Sequence, residues 1–154
     1  MTDKGLPKVF LGGDHAGLEL RKALREVLVW MGREVEDLGT HETRSVDYPD
    51  FAVAVCERVG RGEGIGILVC GTGIGVDIVA NKMIGIRAAR CTEPYSARMS
   101  RAHNDANVLC LGARVTGVGL AEEILKAWLD TPFEGGRHRQ RVDKIRALDE
   151  KRRG

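Results

Sequence analysis

Apolar and polar positions along this chain switch between two periods, and the switches mark out its elements. Short runs at 8–12, 34–37, 65–70, 86–90 and 108–111 have the length of strands, and most of them are apolar. The run at 65–70 is apolar enough to be buried on both faces, as in a parallel sheet. Between the runs the period becomes helical. Over 17–31, Leu18, Leu20, Leu24, Val27 and Leu28 fall on one side of a helix. Pro49 opens a second helix that runs to Arg61, proline being favoured in a first turn. Further helices are predicted at 76–82, 94–103 and 118–129.

Strand followed by helix, five times over, predicts an α/β fold. The expected form is a Rossmann-like three-layer sandwich around a five-stranded parallel sheet in the order 2-1-3-4-5. The pattern breaks at Pro132, Gly135 and Gly136. Beyond the break, Val142, Ile145 and Leu148 recur among charges, which predicts a C-terminal tail helix over 137–154. The chain then reads as one domain, 1–154, whose tail helix has an apolar stripe that packs on its own domain or on a partner subunit.

Topology says where to look for chemistry. In open parallel sheets, ligands bind beyond the carboxyl ends of strands where the strand order reverses, here between strands one and three. The unusual sequences follow those two strands. After strand three comes Cys70-Gly71-Thr72-Gly73-Ile74-Gly75. Alternating glycines let backbone N–H groups converge, and a helix N-terminus behind them favours an anion. A dinucleotide loop fits poorly, because that fingerprint is Gly-x-Gly-x-x-Gly after the first strand. A cysteine phosphatase loop fits poorly too, because it carries arginine where this chain has Val76. The remaining reading is a cradle for an enediolate, the anion left when a proton leaves the carbon beside a sugar carbonyl. A helix N-terminus favours a thiolate by ~0.3–1 kcal/mol, and oriented N–H donors in comparable anion holes are worth roughly 3–4 kcal/mol each. The donors would therefore contribute more than the thiol itself. Thr72 adds a hydroxyl able to pass protons between neighbouring oxygens.

After strand one comes Gly12-Gly13-Asp14-His15-Ala16-Gly17. Asp14 suits a helix cap, and with His15 it also suits a carboxylate and imidazole facing a substrate. His103 closes the fourth helix, where it could equally serve the helix dipole. Arg137 and Arg141, four apart with His138 between them, make a positive cluster suited to a phosphate or a plain solvated tail.

Composition narrows the classes. A net charge of +2 recruits neither nucleic acid nor an anionic membrane. No apolar run approaches the ~18 residues of a membrane span, and residues 1–7 are polar, unlike a secretion signal. The four cysteines have no Cys-x-x-Cys pair, and the four histidines are scattered, so neither a disulfide framework nor a metal site is expected. Cytoplasm is the expected home.

The glycine strings resemble, in order and over nearly the whole chain, the ribose-5-phosphate isomerase B family, within a wider group that includes the galactose-6-phosphate isomerase subunits. Further matching strings are Asp47-Tyr48-Pro49, Ala80-Asn81-Lys82, Gly85-Ile86-Arg87-Ala88, Glu93-Pro94-Tyr95-Ser96-Ala97, His103-Asn104-Asp105-Ala106-Asn107 and Gly135-Gly136-Arg137-His138. The resemblance implies interconversion of ribose 5-phosphate and ribulose 5-phosphate without cofactor or metal. It implies Cys70 as base, Thr72 and the amides of Gly71, Gly73, Ile74 and Gly75 around the enediolate, and Asp14 and His103 in ring opening. It places Asn104 and His15 near the substrate and Arg114, Arg137, His138 and Arg141 around the phosphate. It also implies a homodimer, or a tetramer, with His103, Asn104 and Arg114 reaching into the neighbour's pocket. A second branch of the family lacks the cysteine and has a glutamate where this chain has Val76, so this sequence falls in the cysteine branch; Asp77, one residue on, is read as a first-turn helix residue. A hexose 6-phosphate (allose or galactose 6-phosphate) is the rival substrate, and a non-catalytic sugar-phosphate sensor is the rival class.

Overall fold

A computed structural model describes residues 5–154; the first four residues of the polar opening segment lie outside it. The strands are β1 (Val9–Gly13), β2 (Val35–Asp37), β3 (Ile65–Cys70), β4 (Ala88–Arg90) and β5 (Val108–Gly112). The helices are α1 (Leu18–Trp30), α2 (Tyr48–Gly60), α3 (Ile74–Lys82), α4 (Pro94–Asn104), α5 (Val118–Asp130) and α6 (Arg137–Arg153), with a single 3-10 turn, His15–Gly17, ahead of α1. Among the described residues no helix is long and apolar enough to cross a membrane.

All strand pairs are parallel, and the sheet order is β2-β1-β3-β5-β4 rather than 2-1-3-4-5. Burial explains the exchange of the last two strands. β5, Val-Leu-Cys-Leu-Gly, is buried at every position, whereas β4, Ala-Ala-Arg, is only half-buried. The apolar strand takes the interior place beside β3, and the short one takes the edge, where unpaired backbone is cheapest. Parallel crossovers are right-handed. The step from β3 out to β4 and the step back to β5 therefore place α3 and α4 on opposite faces.

That is how the core divides. Val9, Leu11, Ile67, Val69, Leu109 and Leu111 pack under Leu24 and Leu28 of α1, Ala97 of α4, and Ile124, Leu125 and Trp128 of α5. On the other face Phe10, Leu68, Cys70, Val108 and Cys110 pack under Val55 and Val59 of α2 and Val76 and Ala80 of α3. The helices following β3 and β5 thus diverge, as do those following β1 and β3. β3 consequently has a strand-order reversal on each side, one more than the predicted order would give.

Arg21, fully buried in α1, fastens the chain after β2. Its Nε donates to both carboxylate oxygens of Asp37, 2.9 and 3.1 Å, and its Nη2 donates to the Thr40 carbonyl. At the far end, α6 buries His138 and Val142 against its own domain and leaves Ile145 and Leu148 exposed. Asp149 of α6 accepts the Gly85 N–H at 2.9 Å, and Arg146 reaches Asp105 at 3.5 Å.

Candidate active site

Cys70 is the last residue of β3, lies opposite Gly112 of β5, and is 4% exposed. The chain must then turn at once into α3. Gly73 makes this possible with φ +78, a left-handed conformation that side chains rarely adopt. Its N–H donates to Cys70 Sγ at 3.2 Å. Thr72 Oγ1 accepts from the Ile74 N–H at 3.2 Å, which leaves its own proton to donate elsewhere. Gly75 is needed for space: a Cβ there would stand 2.4 Å from Cζ of Tyr48, whose ring covers the turn.

Above this turn lies a cavity of about 420 Å³, lined by the residues of the turn with Asp14, Tyr48, Ile78 and Arg114. Asp14 is 7% exposed and its Oδ1 accepts from Ala16 and Gly17 at 3.1 and 3.3 Å. It therefore caps the 3-10 turn and still offers Oδ2. His15 is adjacent, but its Nδ1 accepts the Val46 N–H at 3.1 Å, so it ties the 41–47 segment to the turn through the ring and keeps Nε2 for a ligand. Arg114 enters because β5 neighbours β3: its N–H donates to the Gly71 carbonyl at 2.9 Å, and its exposed guanidinium has no ion pair among the described residues. Arg114, expected across a subunit boundary, lines the cavity of its own chain.

His103, Asn104, Arg137, His138 and Arg141 are not in this cavity. α4 runs antiparallel to the strands and ends at the amino edge, where Gly66 donates to the Asn107 carbonyl at 2.9 Å. Strands of this length span ~17–20 Å, so this group stands about a strand's length from Cys70. Its members do belong together. The rings of His103 and His138 stack at 4.2 Å and 11°, and Arg137 and Arg141 are exposed and unpaired among the described residues. Burial, then the neighbouring His103, holds the His138 imidazole below its usual range, and Arg137 and Arg141 add to the effect. The ligand atoms of His103, Glu134 and His138 lie within 4.8 Å of one another. Parallel rings, however, aim their lone pairs side by side, and a tetrahedral ion needs them to converge.

Burial pushes the Cys56 thiol up to about 12, Cys91 up to about 11 and Cys110 well above its usual range. Cavity size does not single out the site. A hollow of about 460 Å³ between α2 and the end of α6, lined by Cys56, Lys82 and Arg152, presents no converging amides and only that raised thiol. Three groups around the turn lay beyond the sequence reading. Tyr48 stood in a matching string without a role. Ile78 is the exposed wall of the cavity one helical turn beyond Ile74, a spacing that could have flagged it. Arg90 donates from Nε to the Thr72 carbonyl at 2.8 Å, a contact no local pattern announces.

Comparison with known proteins adds to this geometry. A family described as Ribose/Galactose Isomerase matches residues 9–145. Ribose-5-phosphate isomerase B of Escherichia coli is 49% identical over 148 residues, 96% of this chain and 99% of that protein. The structure of ribose-5-phosphate isomerase B from Clostridium thermocellum superposes with a TM-score of 0.92 at 52% identity, over 94% of this chain and 99% of that one. The enzyme from Mycoplasma genitalium, solved with bound ribulose-5-phosphate, has a TM-score of 0.90 at 40% identity, over 93% and 96% of the two chains.

Proposed function

The chain belongs to the ribose/galactose isomerase family, and we propose that it interconverts ribose 5-phosphate and ribulose 5-phosphate with Cys70 as the base. The observation that carries this reading is the Gly73 N–H pointing at a thiol that ends a buried strand, beside a cavity large enough for a pentose phosphate. The Cys70 thiolate takes the proton from the second sugar carbon, and the electron pair moves to the first carbon's oxygen. The amides of the turn stabilise the resulting enediolate, Gly71 and Gly75 directly and Gly73 and Ile74 by holding Cys70 Sγ and Thr72 Oγ1, to which they donate. The thiol returns the proton to the first carbon, while Thr72 passes the hydroxyl proton between the two oxygens. No electron leaves the substrate, so the reaction needs no redox partner. Asp14, through Oδ2, assists ring opening, and His15 Nε2 and Asn104 contact the sugar.

The phosphate ligands and the second ring-opening group come from a second copy of the chain. His103, Asn104, Arg137, His138 and Arg141 share one cluster at the wrong edge to serve their own Cys70, and Arg137 and Arg141 have no counter-charge. A homodimer, alone or doubled to a tetramer, that brings one chain's amino edge to the other's cavity meets both needs, with Arg114 supplying charge from the cavity's own chain. The exposed Ile145 and Leu148 of α6 suit the same interface. Four free cysteines suit a reducing cytoplasm.

Solvent exchange of the second-carbon proton tests the assignment. Cys70→Ala should lose roughly 10²–10⁴-fold in both exchange and turnover, the range expected for a positioned base. Full exchange in that variant would remove Cys70 from the chemistry. Binding without any exchange in the native protein would instead indicate a sensor, and faster turnover of a hexose phosphate would move the substrate class.

A further inference from the structure

We propose that Arg90 is a positioning residue for the Cys70 thiol and acts through the one peptide unit that joins Thr72 to Gly73. The carbonyl of that unit accepts from Arg90 Nε at 2.8 Å. The N–H of the same unit donates to Cys70 Sγ at 3.2 Å. A peptide is planar with its C=O and N–H antiparallel, so anchoring the oxygen fixes the direction of the hydrogen. The anchor is charge-assisted, which makes it stronger than a neutral bond, and it polarises the peptide so that its N–H becomes a better donor to a negative sulfur.

The turn needs such an anchor. Gly73 has a left-handed φ of +78, and glycine moves between positive and negative φ at little cost. Rotation of the Thr72–Gly73 unit would turn its N–H away from the sulfur. Arg90 is well placed to oppose it. It ends β4, in register with Cys110 of β5, and Asp77 on the first turn of α3 faces its guanidinium and its N–H. Burial holds the Asp77 carboxyl above its usual range, and the N–H and guanidinium of Arg90 offset only part of that rise. Other titratable or charged groups around the thiol are Asp14, Tyr48 and Arg114 in the cavity, with Cys110 of β5 and Cys56 of α2 in the same core cluster. None of their side chains bonds to the Thr72 carbonyl among the described residues, so the task falls to Arg90.

The inference rests on Cys70 being the base, and the experiment separates the two. Alkylation of Cys70 by iodoacetamide, followed across pH by mass spectrometry of its peptide, reports thiol ionisation without reference to turnover. In Arg90→Met the alkylation midpoint should rise, with the rate at neutral pH and kcat each falling roughly threefold to tenfold, while KM changes by less than about twofold. Arg90→Lys, which can still donate to the carbonyl, should recover most of the loss. If the methionine variant does not fold, Arg90→Gln, neutral and shorter, reads the same loss. An unmoved midpoint, or a rise confined to KM, overturns the role of Arg90. A raised midpoint with unchanged kcat upholds Arg90 and overturns Cys70 as the base instead.

Discussion

At the carboxyl edge of the sheet, the groups facing the cavity are set by backbone: a strand end, a left-handed glycine, a ring of amides and a capping aspartate. At the amino edge they are long or flat side chains on helix ends, with two arginines that have no counter-charge among the described residues. The difference matches two electrostatic tasks. Charge that develops only during reaction is best met by dipoles already in place, because nothing has to reorganise when it appears. A phosphate is charged throughout and can be met by flexible cations that close around it. A protein that must do both can build each kind of site where its fold offers the right material, and let a second copy bring them together.

This contrast can be broken in several ways, the largest through Arg21. That guanidinium is fully buried against Asp37 and holds the segment leading to Val46 and Tyr48. Arg21→Met leaves the Asp37 carboxylate uncompensated, and removing one partner of a buried pair costs about 3–5 kcal/mol. Urea unfolding should show that loss, with activity falling as the cavity loosens; an unchanged midpoint would mean the carboxyl edge does not depend on this clamp. Arg137→Ala should act at the other edge and weaken substrate binding by roughly 1.5–3 kcal/mol, leaving Cys70 alkylation unaltered. Equal substrate affinity in a binding titration would take Arg137 away from the phosphate.

A smaller effect concerns acid. Burial and neighbouring cations keep His138 below its usual range, so the unfolded chain binds this proton more readily than the folded one. Stability should therefore be full above the ordinary histidine value of about 6.5 and decline as pH falls through it. His138→Asn should flatten that decline in thermal melts from pH 8 to 5; an identical slope would locate the acid sensitivity elsewhere.

Much of the carboxyl edge was legible in the sequence because its signals are local. An apolar strand running into Cys70 and alternating glycines, and Pro49 in a first helical turn, each state their conformation within a few residues. Sequence also gave five strands and six helices, yet not the places of β4 and β5, since pairing order follows from competition for the interior. The clue was present in part: the run at 108–111 is apolar throughout, while the run at 86–90 ends Ala-Ala-Arg. The structure trims that run to three residues and starts α3 at Ile74 rather than at residue 76. Arg114, Arg90 and Tyr48 owe their places to that order and to packing across elements, so no spacing rule finds them. The stripe of Val142, Ile145 and Leu148 was legible as a helix face, but only Val142 is buried within the chain.

The most direct test of the account mixes two disabled proteins. Cys70→Ala spoils the carboxyl edge and His103→Ala the amino edge, so each variant alone should be nearly inactive. If one site is built from opposite edges of two chains, a dimer of one copy of each variant has one site with both defects and one with neither. After subunit exchange at equal amounts, half the dimers are mixed, and activity should return to about a quarter of the native value. A mixture that exchanges subunits, as mass spectrometry of the assembled dimers would show, yet stays as inactive as its parents would contradict the shared site.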